Sequence, residues 1–213
     1  MKHPIEVRER LVEAARHLFA SAGYDATSVR DITARAHANL GAITYHFGSK
    51  EALYHAVIER FAVPLADRLA TIAAESGPPL DRLAKATRAF MGHIWQHPEM
   101  PRLVLRELAS DRPLPEPIAR VIRRNVESFS RIITEGQAEG SIRPGQPHLF
   151  AMSIAGQPLF LALAGRAIRE AIGTDPSDPA IRSLIADHVI QNMTAAFSNP
   201  QSPTRAAAGE PTR

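Results

Sequence analysis

Residues 27–54 read TSVRDITARAHANLGAITYHFGSKEALY, and the order of caps, apolar residues and breaks in this run decides the fold. Ser28, with Asp31 three residues on, has capping-box spacing and opens a short helix in which Val29, Ile32 and Ala36 face one way. His37-Ala38-Asn39 breaks it, and Asn39 is a good N-cap for a helix from about Leu40 to Phe47. Gly48 ends that helix and Ser49 caps a fourth. Two short helices joined by a tight turn between longer ones make a helix-turn-helix pattern at about residues 28–47.

Outward from this run the periodicity stays helical. Toward the N-terminus, Val7, Leu11, Ala14, Leu18 and Ala22 recur at three- and four-residue steps, with Phe19 widening the stripe, so a helix is expected from about Ile5 to Ala22. Gly23 follows and can close it in the left-handed conformation. Toward the C-terminus, Leu53, Val57, Phe61, Leu65, Leu69 and Ile72 carry one stripe, in which Pro64 should kink the helix. Further helices are expected at about 80–97, 101–110, 116–139, 148–171 and 178–198, separated by proline and glycine clusters. Pro158 should bend the one that contains it. The fold expected is all-α: a three-helix DNA-binding domain at 1–62, then a helical regulatory and dimerisation domain at 63–198. The proline- and alanine-rich tail at 199–213 has little to bury and is expected to be disordered.

Composition narrows the function classes. Cysteine is absent from the 213 residues, which excludes a disulfide framework, a thiol nucleophile and a thiolate metal site. No run of 18 apolar residues is present, so no membrane-spanning helix is expected, and MKHPIEVRER lacks the pattern of a signal peptide. A cytoplasmic protein with no membrane partner is the expectation. The net charge is +3, and the first 61 residues hold eight Lys and Arg against seven Asp and Glu. Bulk charge therefore does not mark nucleic-acid binding; the placement of residues has to.

A helix entering a major groove about 12 Å wide needs small or polar residues on its outer face. Leu40, Gly41, Ala42 and Thr44 provide such a face, while Ile43 and Phe47 remain to pack inward. Donors for flanking phosphates stand at helix N-termini, Thr27 and Ser28 at one and Lys50 at another, with Tyr45 and His46 on the flank.

The run Thr27–Tyr54, together with Phe19, Gly23 and Tyr24 before it, resembles the DNA-binding domain of the TetR/AcrR family of transcriptional regulators over about residues 6–62. The segment Tyr45-His46-Phe47 followed by Ser49-Lys50-Glu51 carries the resemblance most specifically. It implies that Thr27 or Ser28, Arg30, Asn39, Tyr45, His46 and Lys50 touch the DNA backbone, and that Leu40, Gly41, Ala42 and Thr44 approach base edges. Arg30 could instead pair with Asp31 or Glu51, and Tyr45 and Phe47 could be plain core aromatics. Three positions depart from the family pattern: His37 replaces a turn glycine, Asn39 a serine or threonine, and Thr44 the first of two aromatics. The resemblance further implies a homodimer on double-stranded, inverted-repeat operator DNA and an unidentified small apolar or amphipathic effector, with repression the family habit. No cofactor is implied. The run SIAGQPLFLALA, 153–164, is faintly similar to the C-terminal domain of one subgroup whose ligands are diverse.

The last two expected helices look like a dimer surface, through Gly156, Leu159 and Leu163 on one and Leu184, Ile185, Val189 and Met193 on the other. The alternative is that these stripes serve only the monomer's own core. Phe90, Ile94, Trp95, Leu103, Leu105, Phe129, Ile133 and Phe160 are candidate lining for an effector pocket among the middle helices, and core packing accounts for each of them as well. Two rival classes remain. His93 and His97, four apart with Glu99 close by, have metal-ligand spacing, but no strong third ligand accompanies them and Pro98 ends the helix. A coregulator that kept the helix-turn-helix but lost operator binding is the other; the intact Tyr45–Phe47 and Ser49–Glu51 runs argue against it.

Overall fold

The computed structural model describes residues 4–111 and 113–200, and they form an all-helical chain. In order the helices are α1 Pro4–Ala22, α2 Val29–Arg35, α3 Ala42–Phe47, α4 Lys50–Phe61, α5 Val63–Ala74, α6 Pro79–Gln96, α7 Glu99–Leu108, α8 Glu116–Ala138, α9 Pro147–Ile172 and α10 Pro179–Phe197. One isolated antiparallel bridge, between Ile142 and Ser198, ties the α8–α9 loop to the end of α10.

Several local expectations hold. Ser28 and Asp31 form a reciprocal capping box, and the Ser49 hydroxyl caps α4 by accepting from the Ala52 amide at 3.0 Å. Gly23, at φ 91°, closes α1 with its amide on the Phe19 carbonyl. It also admits a neighbour, because a β-carbon there would lie 3.0 Å from Arg106 Cδ and Nη1. Others change. The recognition helix starts at Ala42, not Leu40, and Asn39 supplies its backbone carbonyl to the Ala42 amide where a side-chain cap was expected. Residues 40–41 form a turn ahead of it.

Pro64 ends a helix where a kink was expected. It cannot donate to the Arg60 carbonyl, so α4 stops at Phe61, Ala62 takes φ −106°, and α5 restarts with Pro64 in its first turn. The Phe61 carbonyl accepts a hydrogen bond from His93 Nε2 on α6 at 2.6 Å, which puts the ring proton on Nε2. Asn199, expected in the disordered tail, bonds through its amide to the Ser141 carbonyl and through its side chain to that of Gly140; residues 201–213 lie outside the described ones.

Two cores result. The first gathers Leu11, Ala15 and Phe19 of α1, Ile32 of α2, Ile43 of α3 and Leu53, Val57 and Ile58 of α4. It also includes Met100 and Leu103 of α7 and Ile118 and Val121 of α8, so the expected boundary at residue 62 does not separate two cores. Helix α7 clasps α1 at two points, Glu99 on Arg16 at 2.6 Å and Arg106 on the Ser21 carbonyl at 2.9 Å, and α4 at a third, where the Tyr54 hydroxyl donates to buried Glu107 at 2.9 Å. The second core joins α5, α6, α8, α9 and α10.

Helix α9 revises one further expectation. A window of 18 residues within it has mean hydropathy 1.4, so by length and composition it could cross a membrane, and little of that window is buried. Its buried residues, Phe150, Ala151, Ile154 and Pro158, all lie in its first half.

Candidate nucleic-acid interface

Helix α3 has six residues, too few to be stable alone, and its one buried side chain is Ile43. That anchor presents the other side of the helix outward. Asn39, Leu40, Gly41, Thr44 and Tyr45 are exposed and Ala42 and His46 are half-buried. Tyr45 is 81% exposed and so is no core aromatic. Phe47 packs inward against the first core, with the Arg8 guanidinium 5.1 Å from its ring centroid.

The flanking donors divide. Thr27 is 2% exposed, and its hydroxyl donates to the Gly23 carbonyl at 2.7 Å. It is a buckle of the α1–α2 corner, which corrects the expectation that it faces phosphate. The Ser28 hydroxyl and amide both point to Asp31 Oδ2, at 2.6 and 3.0 Å. Those bonds, hydroxyl first, hold the Asp31 carboxyl below its usual range. Arg30 is exposed and has no ion-pair partner among the described residues, so the alternative pairings with Asp31 and Glu51 are not formed. Lys50 has two tasks sequence alone did not reveal. Its ammonium donates to the Thr27 carbonyl at 2.8 Å and sits 4.2 Å from the Tyr24 ring centroid, fastening α4 to the α1–α2 corner. An ammonium has three donors, so others remain for an anion.

The proposed effector lining is scattered. Phe90, Ile94, Phe129 and Ile133 are buried together in the second core, but Leu103 belongs to the first, Trp95 to a small cluster with Ile185, and Phe160 is 63% exposed. Leu105 is half-buried on α7. The middle helices are thus closed by their own side chains. An apolar groove of about 600 Å³ lies instead between α9 and α10, lined in part by Gly156, Phe160, Leu184, Ile185 and Val189. Of the expected dimer residues, Gly156 and Leu184 are exposed and Leu159, Leu163 and Ile185 half-buried, whereas Val189 and Met193 are buried within the monomer. The His93 and His97 rings lie 4.7 Å apart, but His93 is committed to the Phe61 carbonyl and Glu99 to Arg16.

A short helix, pinned by one isoleucine and presenting an exposed polar and aromatic ridge beside two capped helix N-termini, defines a helix-turn-helix DNA-binding protein. Comparison with known proteins narrows the class. Residues 11–57 match the family model for bacterial regulatory proteins of the tetR family, and residues 79–192 match a tetracyclin repressor-like C-terminal domain. The chain is 34% identical over 140 residues to the HTH-type transcriptional repressor DhaR of Mycobacterium sp. (strain GP1), covering 64% of this chain and 70% of that one. It is 30% identical over 144 residues to the HTH-type transcriptional repressor KstR2 of Mycolicibacterium smegmatis, covering 66% and 70%. The crystal structure of HlyIIR, a hemolysin II transcriptional regulator, superposes with TM-score 0.71 at 22% identity, over 92% of this chain and 99% of that one. The chain belongs to the TetR family of transcriptional regulators. That membership makes it a regulator and not an enzyme.

Proposed function

We propose that this regulator is a homodimeric repressor that reads an inverted-repeat operator with α3 and releases it when a small apolar or amphipathic effector binds. The observation that carries the reading is the exposed ridge from Asn39 to Tyr45, held on the single buried anchor Ile43. Leu40, Gly41, Ala42 and Thr44 reach base edges, and Arg30, Asn39, Tyr45, His46 and Lys50 hold the backbone. Gly41 has open space around it, which admits a base pair at close range.

The dimer forms through α9 and α10. Phe160 and Leu184 are 63% and 65% exposed beside the apolar groove, an arrangement that a second copy of the same two helices would cover. The same reading accounts for the apolar outer face of α9 without a membrane, since α9 packs along α6, α7 and α8 and ends in the charged Arg166, Arg169 and Glu170. An effector entering the closed middle helices has to part Phe90 from Phe129, whose rings meet edge to face at 6.1 Å. Movement of α6 or α8 reaches α1 through α7. A hundredfold preference for the DNA-incompetent state supplies about 2.7 kcal/mol of coupling.

The test is a salt-dependent mobility shift with duplex DNA from upstream of the protein's own gene. The expected result is retardation that weakens steeply with salt and survives excess unrelated DNA. Retardation of all duplexes alike would contradict operator reading.

A further inference from the structure

His37 is the one non-glycine residue with positive φ among the described residues, at 49°. It follows the C-cap of α2. Its amide donates to the Ala34 carbonyl at 3.1 Å and the next amide, of Ala38, to the Thr33 carbonyl at 2.9 Å. These are the paired bonds of a Schellman turn, and the position His37 occupies is the one that favours glycine. A β-carbon there is strained. Arg10 Nε on α1 fixes the adjacent Ala36 carbonyl at 2.9 Å, so the surroundings impose the conformation on the histidine. The side chain so held is exposed and lines a concavity of about 520 Å³ together with Arg10, Asn39, Tyr45 and His46. Among the described residues no carboxylate lines this concavity, whereas Glu6, Glu9 and Glu13 line the neighbouring one along α1.

We propose that His37 is a phosphate-binding residue of the DNA complex, its imidazole joining Arg10 and His46 to seat a phosphodiester beside the ridge of α3. The proposal rests on the operator-binding reading above. It explains why a strained imidazole stands where glycine would be relaxed, and why the described polar side chains of the concavity, Arg10, His37, Asn39, Tyr45 and His46, include no carboxylate. The groups facing His37 are Arg10 from α1 and Tyr45 and His46 from α3. A phosphate among them would accept from the imidazole N–H and from the Arg10 guanidinium.

The test uses the full chain and a duplex it enriches from a random library, with an unrelated duplex of equal length. Anisotropy titrations over a range of salt concentrations, together with calorimetric melting, compare the parent with His37→Gly and His37→Asn. His37→Gly should melt no lower than the parent, and up to about 2–4 °C higher as strain is relieved. It should nevertheless bind both duplexes at least about tenfold more weakly. Its salt slope should fall by about two for a dimer, one phosphate per subunit. His37→Asn tolerates the backbone and keeps a shorter donor, so its affinity should fall between those of the parent and His37→Gly. Binding by His37→Gly within about twofold of the parent, with the same salt slope, would overturn the proposal. So would a loss confined to the enriched duplex, because a phosphate contact serves every sequence alike. A parent that enriches no duplex refutes the operator-binding reading itself, and this proposal with it.

Discussion

Replacing Ile43 with alanine should separate the stability of the reading helix from that of the whole chain. Ile43 is 1% exposed and is the only buried residue of α3, while a six-residue helix has almost no stability of its own. Removing its three outer carbons costs about 2–5 kcal/mol where the site cannot collapse. If that loss fell on global unfolding, the melting temperature would drop by about 2–4 °C per kcal/mol. Because α3 is small and peripheral, undocking it alone is the cheaper response, and the loss should appear in the fraction of molecules competent to bind. Operator affinity should then fall by about thirtyfold or more, while the melting temperature drops by less than the full cost implies. Hydrogen exchange should quicken selectively at residues 42–48. A variant whose affinity stays within about threefold while its melting temperature falls by the full amount would refute the claim that Ile43 is the main anchor of the ridge.

Other perturbations test the remaining parts. Lys50→Ala should weaken binding to every duplex and reduce the salt slope by about one per subunit, with some loss of stability because Thr27 and Tyr24 lose their tie. Thr44→Ala should shift preference among operators at unchanged melting temperature; equal effects on affinity and preference in both variants would contradict this division. Phe160→Glu with Leu184→Glu, both on exposed positions, should give folded monomers in ultracentrifugation that no longer hold operator; persisting dimers would move the interface elsewhere. Burial holds His93 below the usual histidine range, against the raising effect of its bond to the Phe61 carbonyl, with His97 lowering it further. A depressed folded-state value means the unfolded chain binds more protons, so stability present above about pH 6.5 is lost as the pH falls below it. His93→Gln keeps a donor for Phe61 and should flatten that loss in denaturant titrations across pH; an unchanged profile would mean the titration lies elsewhere.

What was legible in the sequence was what local chemistry decides. The capping box at Ser28–Asp31, the Ser49 cap and the Gly23 closure each need only a few neighbouring residues, and each stands as expected. The positive φ at His37 follows from the same local logic, since the turn needs that conformation whatever residue occupies it. Long-range packing was not legible. Thr27 has the look of an N-terminal donor, but the Gly23 and Leu18 carbonyls draw its hydroxyl inward. The α1 stripe rotates toward Val12 and Ala15 because α7 covers a second side of the helix. Leu103 reads like any middle-helix residue yet packs in the first core, and Val189 and Met193 turn inward because α10 lies on α6. The membrane-length apolar character of α9 was hidden from a search for unbroken apolar runs by Gly156, Gln157 and Gly165.

The three ties from α7 to α1 and α4 also change how the two halves of the chain communicate. A continuous, kinked fourth helix would have made Pro64 the main lever. The observed break at Ala62, bridged by His93, and the clasp of Glu99, Arg106 and Glu107 put a second connection in parallel with it.

The central claim, that paired copies of the ridge from Asn39 to Tyr45 read operator DNA, is tested most directly by selecting duplexes from a random library with the full chain and footprinting the products. The expected result is an inverted repeat whose half-site centres lie about 34–36 Å, or whole multiples of one DNA turn, apart. Enrichment and footprint should both be lost in Tyr45→Ala, which touches nothing in the core and should melt as the parent does. Enrichment of a single unpaired site, or an unchanged footprint in Tyr45→Ala, would contradict the account.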